Sequence, residues 1–313
     1  MSIALVTTGL APGLGFSTWL AYYLQYVTLI IIYADSLSSQ RQFADLIGQD
    51  LPVYVFLGST KSPEMSPESR IMLRQDENLA DAIDLLLHGP LNYDISWLLH
   101  LDTDELLYFP SHPSTWDFDA LSQGAPALHF SNYEAIPLSH PVTDPFRECT
   151  NFLLNSRENK FMAYGNGKSA VRLKPGIKPN GPHGFRGWGM RESERKVPAE
   201  QAVVLHYPTP DFESWKAKFQ RYGKFPDYWY GDEKMPNRME FMLRSRDVVA
   251  RAEETGEWEE ARGWFGEWTF RDERLREGRE KRLVGVFEPL RERVGSLTET
   301  LDEAEIVTAK DEL

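Results

Sequence analysis

No aspartate, glutamate, lysine or arginine occurs in the first 34 residues, and a loop bearing glycine and proline divides that stretch. A membrane-spanning helix needs about 20 uninterrupted apolar residues. Here Gly9, Pro12, Gly13 and Gly15 break the run, and Gln25 and Thr28 dilute it. A secretory signal needs a positive n-region, and no positive charge precedes Asp35. What remains is a strand over Ile3 to Val6, a loop, and a helix with Phe16, Trp19, Leu20, Tyr23, Leu24 and Val27 at helical spacing. A second β-branched run, Thr28 to Tyr33, follows. Strand, helix, strand predicts the start of an α/β domain on a buried parallel sheet.

The alternation continues. Ser36 to Gly48 reads as a short helix, Pro52 to Leu57 as a strand, Ser66 to His88 as a long helix and Ser96 to Leu101 as a fourth strand. Beyond it, short strands (Ala127–Ser131, Cys149–Leu154, Ser169–Leu173, Ala202–His206) sit among proline-rich loops. An amphipathic helix opens at Thr209-Pro210, with Phe212, Trp215, Phe219 and Tyr222 on one side. From Arg251 on, charged residues alternate with Trp258, Trp264 and Trp268, which predicts helices packed by their aromatics and then an acidic tail from about Leu297. The expected division is a main domain over 1–245 and a charged helical extension over 246–313.

The balance of 34 Lys and Arg against 47 Asp and Glu gives a net charge of −13. Such a surface repels phosphate backbones and anionic lipid, which argues against nucleic-acid or polybasic membrane binding. The single cysteine, Cys149, excludes an internal disulfide framework and a cysteine-rich zinc module.

The chemistry concentrates in Trp97-Leu98-Leu99-His100-Leu101-Asp102-Thr103-Asp104-Glu105. Three acids arrive as an apolar strand ends, and open α/β sheets bind ligands outside the carboxyl ends of their strands. With strand geometry persisting one step, Asp102 and Asp104 point to one face, about 7 Å apart. Crowded carboxylates call for a hard divalent cation, Mg²⁺ or Mn²⁺, which completes its shell with phosphate oxygens. A plain acidic turn would carry the same residues. Between Arg157 and Lys196 the chain turns locally basic and glycine-rich, as a diphosphate requires. Lys168 and Arg172 are the preferred contacts there. Gly165-Asn166-Gly167-Lys168-Ser169 lacks the spacing of a P-loop. His183 and His206 are candidates to complete the metal shell or touch the diphosphate, and His100 reads as structural.

Together these residues resemble the GT-A glycosyltransferases, in particular the group around family 92 and its family-2-like relatives. The likeness runs over about residues 3–224 and rests on several segments. They are Trp19 to Leu24, Ile32 to Ser36, the Asp-Thr-Asp strand end, Asn132-Tyr133-Glu134 with Phe146 to Phe152, and Gly167 to Arg172 followed by His183 and His206-Tyr207. The resemblance implies a Rossmann-like mixed sheet flanked by helices, with a C-terminal helical appendage. It also implies transfer of a sugar from a nucleotide sugar, a UDP-sugar, to a hydroxyl of a carbohydrate or glycoconjugate acceptor. Asp104 would hold Mn²⁺ (or Mg²⁺), Asp102 the ribose or the metal, and His206 or His183 a further metal position. Asp35 would lie near uracil or ribose. Glu134 would be the base of an inverting displacement, with Glu105 and Asp144 as alternatives.

Two other classes fit the same residues: a haloacid-dehalogenase-like phosphatase with Asp102 as nucleophile, and a non-catalytic carbohydrate binder using Tyr228, Trp229 and Tyr230. The chain ends in Lys310-Asp311-Glu312-Leu313, which matches the endoplasmic-reticulum retention address. That address needs lumenal entry. With no signal visible and no Asn-x-Ser/Thr sequon, the expectation is a fortuitous match and a cytoplasmic protein, the alternative being the endoplasmic-reticulum lumen if an upstream signal lies outside this sequence.

Overall fold

The computed structural model describes residues 1–47, 51–59, 67–91, 93–110, 116–154, 160–187, 194–228 and 232–290. The first half follows the expected alternation: β1 (Ile3–Gly9), α1 (Phe16–Leu24), β2 (Leu29–Ala34), α2 (Leu37–Ile47), β3 (Val53–Leu57), α3 (Pro67–His88) and β4 (Trp97–His100). Every residue of β2 and β4 is buried, as strands covered on both faces require. The period of two sorts their side chains. Leu5, Ile30, Ile32, Trp97 and Leu99 meet α1 and α2 on one face. Ala4, Val6, Leu29, Ile31 and Leu98 meet Leu79, Ala82, Ile83 and Leu86 of α3 on the other.

β1 pairs in parallel with β2 on one side and β4 on the other. The chain therefore leaves β1 in one direction and returns on its far side. That reversal opens a crevice at the carboxyl ends of β1 and β4, where open α/β sheets take their ligands.

The second half is β5 (Glu105–Tyr108), α4 (Phe118–Ser122), β6 (Ala127–Phe130), β7 (Asn132–Ala135), α5 (Pro145–Glu148), β8 (Asn151–Leu153), β9 (Lys168–Arg172), β10 (Lys178–Pro179), β11 (Phe185–Arg186), β12 (Glu194–Val197), β13 (Val203–His206), α6 (Phe212–Tyr222), α7 (Glu240–Thr255), α8 (Glu259–Gly266), α9 (Asp272–Glu280) and β14 (Val284–Val286). A mixed seven-stranded sheet runs β12-β6-β9-β4-β1-β2-β3, with β9 antiparallel to both neighbours. A second sheet, absent from the sequence reading, runs β14-β8-β7-β13-β5. The chain crosses between sheets after β4 and again at Ser131, so the strand expected over Ala127–Ser131 continues beyond a break as β7.

The C-terminal helices form an appendage packed onto the main body. The expected boundary at 245/246 falls inside α7. Ser245 Oγ there accepts from both Trp215 Nε1 and Trp264 Nε1 at 3.0 Å. Met162 shares the aromatic cluster of α6 to α8, and β14 returns to the second sheet against β8. Among the described residues no helix is long and apolar enough to cross a membrane. Trp229, Tyr230, Arg157, Arg191, the tail from Leu297 and the C-terminal Lys310-Asp311-Glu312-Leu313 lie outside the described residues.

Candidate functional site

The ladder between β1 and β4 ends with Leu101 N donating to Val6 O at 3.2 Å, and Glu105 N then donates to Asp102 O at 3.2 Å. Residues 102–105 are thus a turn, not the extra step of extended strand expected from the sequence. The two aspartates do not share a strand face, and each has its own surroundings.

Asp102 faces a cation supplied by the protein. Lys168 Nζ lies 2.7 Å from its Oδ2, the Gln75 amide donates to its Oδ1, and its own N–H donates to Glu105 Oε2 at 2.8 Å. Burial alone would lift the Asp102 carboxyl; the Lys168 ammonium overrides this and holds it down at about 2. Lys168 reaches this position because β9 starts at a tight approach. Gly167 has φ +66°, and a Cβ there would stand 2.1 Å from Phe130 O. The Lys168 side chain has no exposed surface, and Nζ is 3.5 Å from Glu105 Oε2 as well. Sequence reasoning expected Lys168 to face a diphosphate, but it is enclosed and neutralises acids instead. Arg172 is also misplaced by that reading. Antiparallel pairing sets it opposite Trp97, at the far end of β4. There it pairs with Asp119 at 2.7 Å and stacks on the Trp97 ring at 4.7 Å.

Asp104 faces an imidazole. In the second sheet, His206 on β13 is in register with Glu105 on β5 and Glu134 on β7, so three titratable groups form one row across three strands. His206 Nε2 is 3.6 Å from Asp104 Oδ2, and Nδ1 is 3.5 Å from Glu134 Oε1. Burial alone would keep the imidazole neutral; Asp104 and Glu134 outweigh it and raise His206 to about 10. Burial is also the main reason the Glu105 carboxyl rises to about 7, against the pull of Lys168. Asp104 is the open member of the group: 39% of its side chain is exposed, whereas Glu105 and Glu134 have no exposure. Glu134 accepts from Met162 N, Ala163 N and Tyr164 N at 2.6–3.1 Å. Both its oxygens are engaged and it has no path to solvent, so the structure removes it as the base that meets an acceptor.

A polar stripe on α3, missed in the sequence, closes the remaining side. Arg74 pairs with Asp35 at the carboxyl end of β2. Gln75 holds Asp102, and Asn78 donates to Thr8 Oγ1 at 3.0 Å and accepts from Ser59 N at 2.8 Å. The signal was present: Arg74, Gln75 and Asn78 interrupt the apolar face of an amphipathic helix, and all three are buried. His183 and His100 lie on this side. Each places Nδ1 on a main-chain carbonyl, Gly167 O at 2.9 Å and Pro182 O at 3.0 Å. Burial, helped by the Lys168 charge, pushes them down to about 3 and about 4, so they are neutral.

Of the eight buried side-chain atoms without a hydrogen bond among the described residues, six gather at this edge: Thr7 Oγ1, Arg74 Nε, His100 Nε2, Glu105 Oε1, Tyr164 Oη and His206 Nδ1. Such a concentration marks a place that takes water, an ion or a ligand. Among the described residues no three His, Cys, Asp or Glu side chains converge into a metal cage. The pair Asp104 and His206 fits a hard divalent ion that completes its shell with phosphate oxygens only once the imidazole gives up the proton that Asp104 and Glu134 stabilise, so metal binding there would release a proton.

No protein-family model matches the chain. Two curated Arabidopsis thaliana proteins, each named glycosyltransferase-like, are similar to it. One is 27% identical over 245 residues, covering 70% of this chain and 45% of its own length. The other is 26% identical over 248 residues, covering 70% of this chain and 51% of its own. The chain spans about half the length of these curated relatives. Among solved structures, TarS of S. aureus overlaps at a TM-score of 0.36 and 10% identity, over 88% of this chain and 82% of that one; an overlap that loose carries no residue across. The relatives support the glycosyltransferase resemblance at the level of their name and do not bear on family 92.

Proposed function

We propose that this chain carries the catalytic domain of a metal-dependent glycosyltransferase, which moves a sugar from a UDP-sugar to a hydroxyl acceptor with inversion. The observation that carries the reading is the asymmetry at the sheet crevice. Asp102 already has the Lys168 ammonium, while Asp104, beside His206, stays open to solvent. The names of the two curated relatives support the same chemistry.

In this reading Asp104 and His206 hold Mn²⁺ or Mg²⁺. When bound, the ion supplies Lewis acidity to a departing diphosphate. Lys168 and Gln75 fix Asp102 so that it contacts the donor ribose without swinging into the crevice. Asp35, oriented by Arg74, lines the nucleoside side, and the neutral His183 forms part of the wall. Glu134 and Glu105 are sealed from an acceptor. Asp144 is the one of the three proposed bases that keeps exposure, 18% of its side chain. It lies against the Gly15 turn beyond β1, and burial raises its carboxyl above the ordinary range. Its Oδ1 accepts from Phe146 N at 3.1 Å and its Oδ2 from Thr18 Oγ1 at 2.5 Å, so removal of a hydroxyl proton would require Asp144 to release one of these bonds.

A thermal-shift screen of nucleotide sugars, with and without Mn²⁺, tests this. A ligand at a hundred times its Kd stabilises by about 2.7 kcal/mol. UDP-linked donors are expected to raise Tm only when Mn²⁺ is present. The reading fails if no nucleotide shifts Tm under any metal condition, and p-nitrophenyl phosphate turnover without nucleotide would move the chain to the phosphatases.

A further inference from the structure

Glu134 has lost the role of base, yet a carboxylate with no solvent to face is expensive to bury and needs an account. Its surroundings supply one. Oε2 takes the Met162 N–H at 2.6 Å, and Oε1 takes those of Ala163 and Tyr164 at 2.9 and 3.1 Å. The same Oε1 stands 3.5 Å from His206 Nδ1. The other ring nitrogen faces Asp104, and the Tyr164 ring covers the imidazole with centroids 4.8 Å apart. His206 therefore has a carboxylate within ion-pair distance of each nitrogen and an aromatic ring on one face.

The other imidazoles at this edge are held differently. His183 and His100 rest Nδ1 on neutral carbonyls. His206 alone of the three has a carboxylate behind the nitrogen that points away from the crevice. A carboxylate in that position fixes the tautomer, aims the opposite nitrogen and raises its basicity, and losing such a partner costs 10–100-fold in metal affinity.

We propose that Glu134 is a positioning residue: it keeps the proton of His206 on Nδ1 and turns Nε2 toward Asp104 as a metal ligand. This rests on the reading of Asp104 and His206 as the metal-holding pair. The three main-chain bonds to residues 162–164 hold the carboxylate in place for that task, because they satisfy its remaining acceptor capacity without bringing in a second cation.

A purely structural role, anchoring residues 162–164, is the alternative, and Asn132 separates the two. Asn132 lies two residues before Glu134 on β7 and anchors the same segment through Tyr164 O (2.8 Å) and Gly167 N (3.1 Å), and it is in register with Val204, two residues before His206. The test is a titration of Mn²⁺ alone, followed by calorimetry, into the full chain and its Glu134→Gln and Asn132→Ala variants, with Tm recorded for each. Glu134→Gln keeps the shape and one acceptor oxygen for the segment; it removes the charge and replaces the other acceptor with an NH₂ group, a cost that Tm records. It is expected to bind Mn²⁺ 10–100-fold more weakly than the unmodified chain. Asn132→Ala is expected to lower Tm while leaving Mn²⁺ affinity within about twofold, well under that loss. Unchanged affinity in Glu134→Gln, or equal losses in both variants, overturns the positioning role and leaves the metal pair standing. Failure of the unmodified chain to bind Mn²⁺ overturns both. If Glu134→Gln does not fold, ¹⁵N imidazole spectra of the unmodified chain decide the matter. With Cd²⁺ bound, a proton on His206 Nδ1 and the metal on Nε2 support the role, and a proton on Nε2 or the metal on Nδ1 contradicts it.

Discussion

Asp102 and Asp104 are separated by one threonine, yet they belong to two differently built regions: each carboxylate is held low by a neighbouring cation, Lys168 for one and His206 for the other, but the Lys168 side chain is enclosed and Asp104 keeps 39% exposure. The Asp102 side, walled by α3 and β9, is complete: a buried ammonium, a glutamine and two neutral imidazoles leave its carboxylate no unmet charge. The Asp104 side, at β13, is unfinished, with a half-exposed carboxylate and an imidazole held by acids. A symmetric pair of aspartates would share one ion between them. This pair is built asymmetrically: one acid is sealed under the Lys168 ammonium, while the other is set against the His206 imidazolium and keeps exposed surface, where in the proposed reading an external cation would take the place of the imidazole proton.

Removing the internal cation should break the comparison most severely. Lys168→Met leaves Asp102 and the buried Glu105 facing each other unpaired. Losing one partner of a buried pair costs about 3–5 kcal/mol, so denaturant unfolding should show a loss in that range. A loss below about 1 kcal/mol, the scale of a surface pair, would mean that Lys168 is not holding the acids.

The pH dependence sharpens the contrast with a smaller effect. His100 and His183 sit below their usual value, at about 4 and about 3. The stability they support is complete above pH about 6.5, the unperturbed histidine value, and is lost as the pH falls through their folded values. His206, raised to about 10, behaves in the opposite sense. Its stabilisation is complete below about 6.5 and is lost as the pH rises through 10. Each proton contributes a slope of at most about 1.4 kcal/mol per pH unit. His100→Asn, whose amide can replace the bond to Pro182 O, should flatten only the acid limb of a stability–pH curve, and His206→Gln only the alkaline limb. A variant that flattens the wrong limb would reverse the charge assignment.

Arg172 provides the smallest effect and the control. It shares β9 with Lys168 but lies at the other end of the sheet. Arg172→Ala should cost about 0.5–1 kcal/mol through its half-exposed pair with Asp119 and leave nucleotide affinity unchanged. A tenfold loss of nucleotide affinity would bring the basic segment back into the site.

The first four strands and three helices were legible because long buried runs alternate with helical spacing. The second sheet was not. β8 and β13 fall within strands named from the sequence, but β5, β7 and β14 have three or four residues each, too few for a period of two to declare itself, and the pairing of all five is long-range. The candidate site divides in the same way. Asp102, Asp104, Lys168 and His206 could be named from their chemistry and their place at strand ends. Which acid meets the ammonium depends on a contact 66 residues apart in sequence and on β9 running against its neighbours, and neither is written locally. Glu134 illustrates the same gap: the sequence shows an acid after a strand, but not the three main-chain donors that close over it.

The most direct test of the division of labour is a calorimetric titration of UDP, in the presence of Mn²⁺, into Asp104→Asn. The account predicts that Mn²⁺-dependent binding is lost while Tm stays near that of the unmodified chain, because Asp104 is the acid that waits for an external cation. Undiminished UDP affinity in that variant would contradict it.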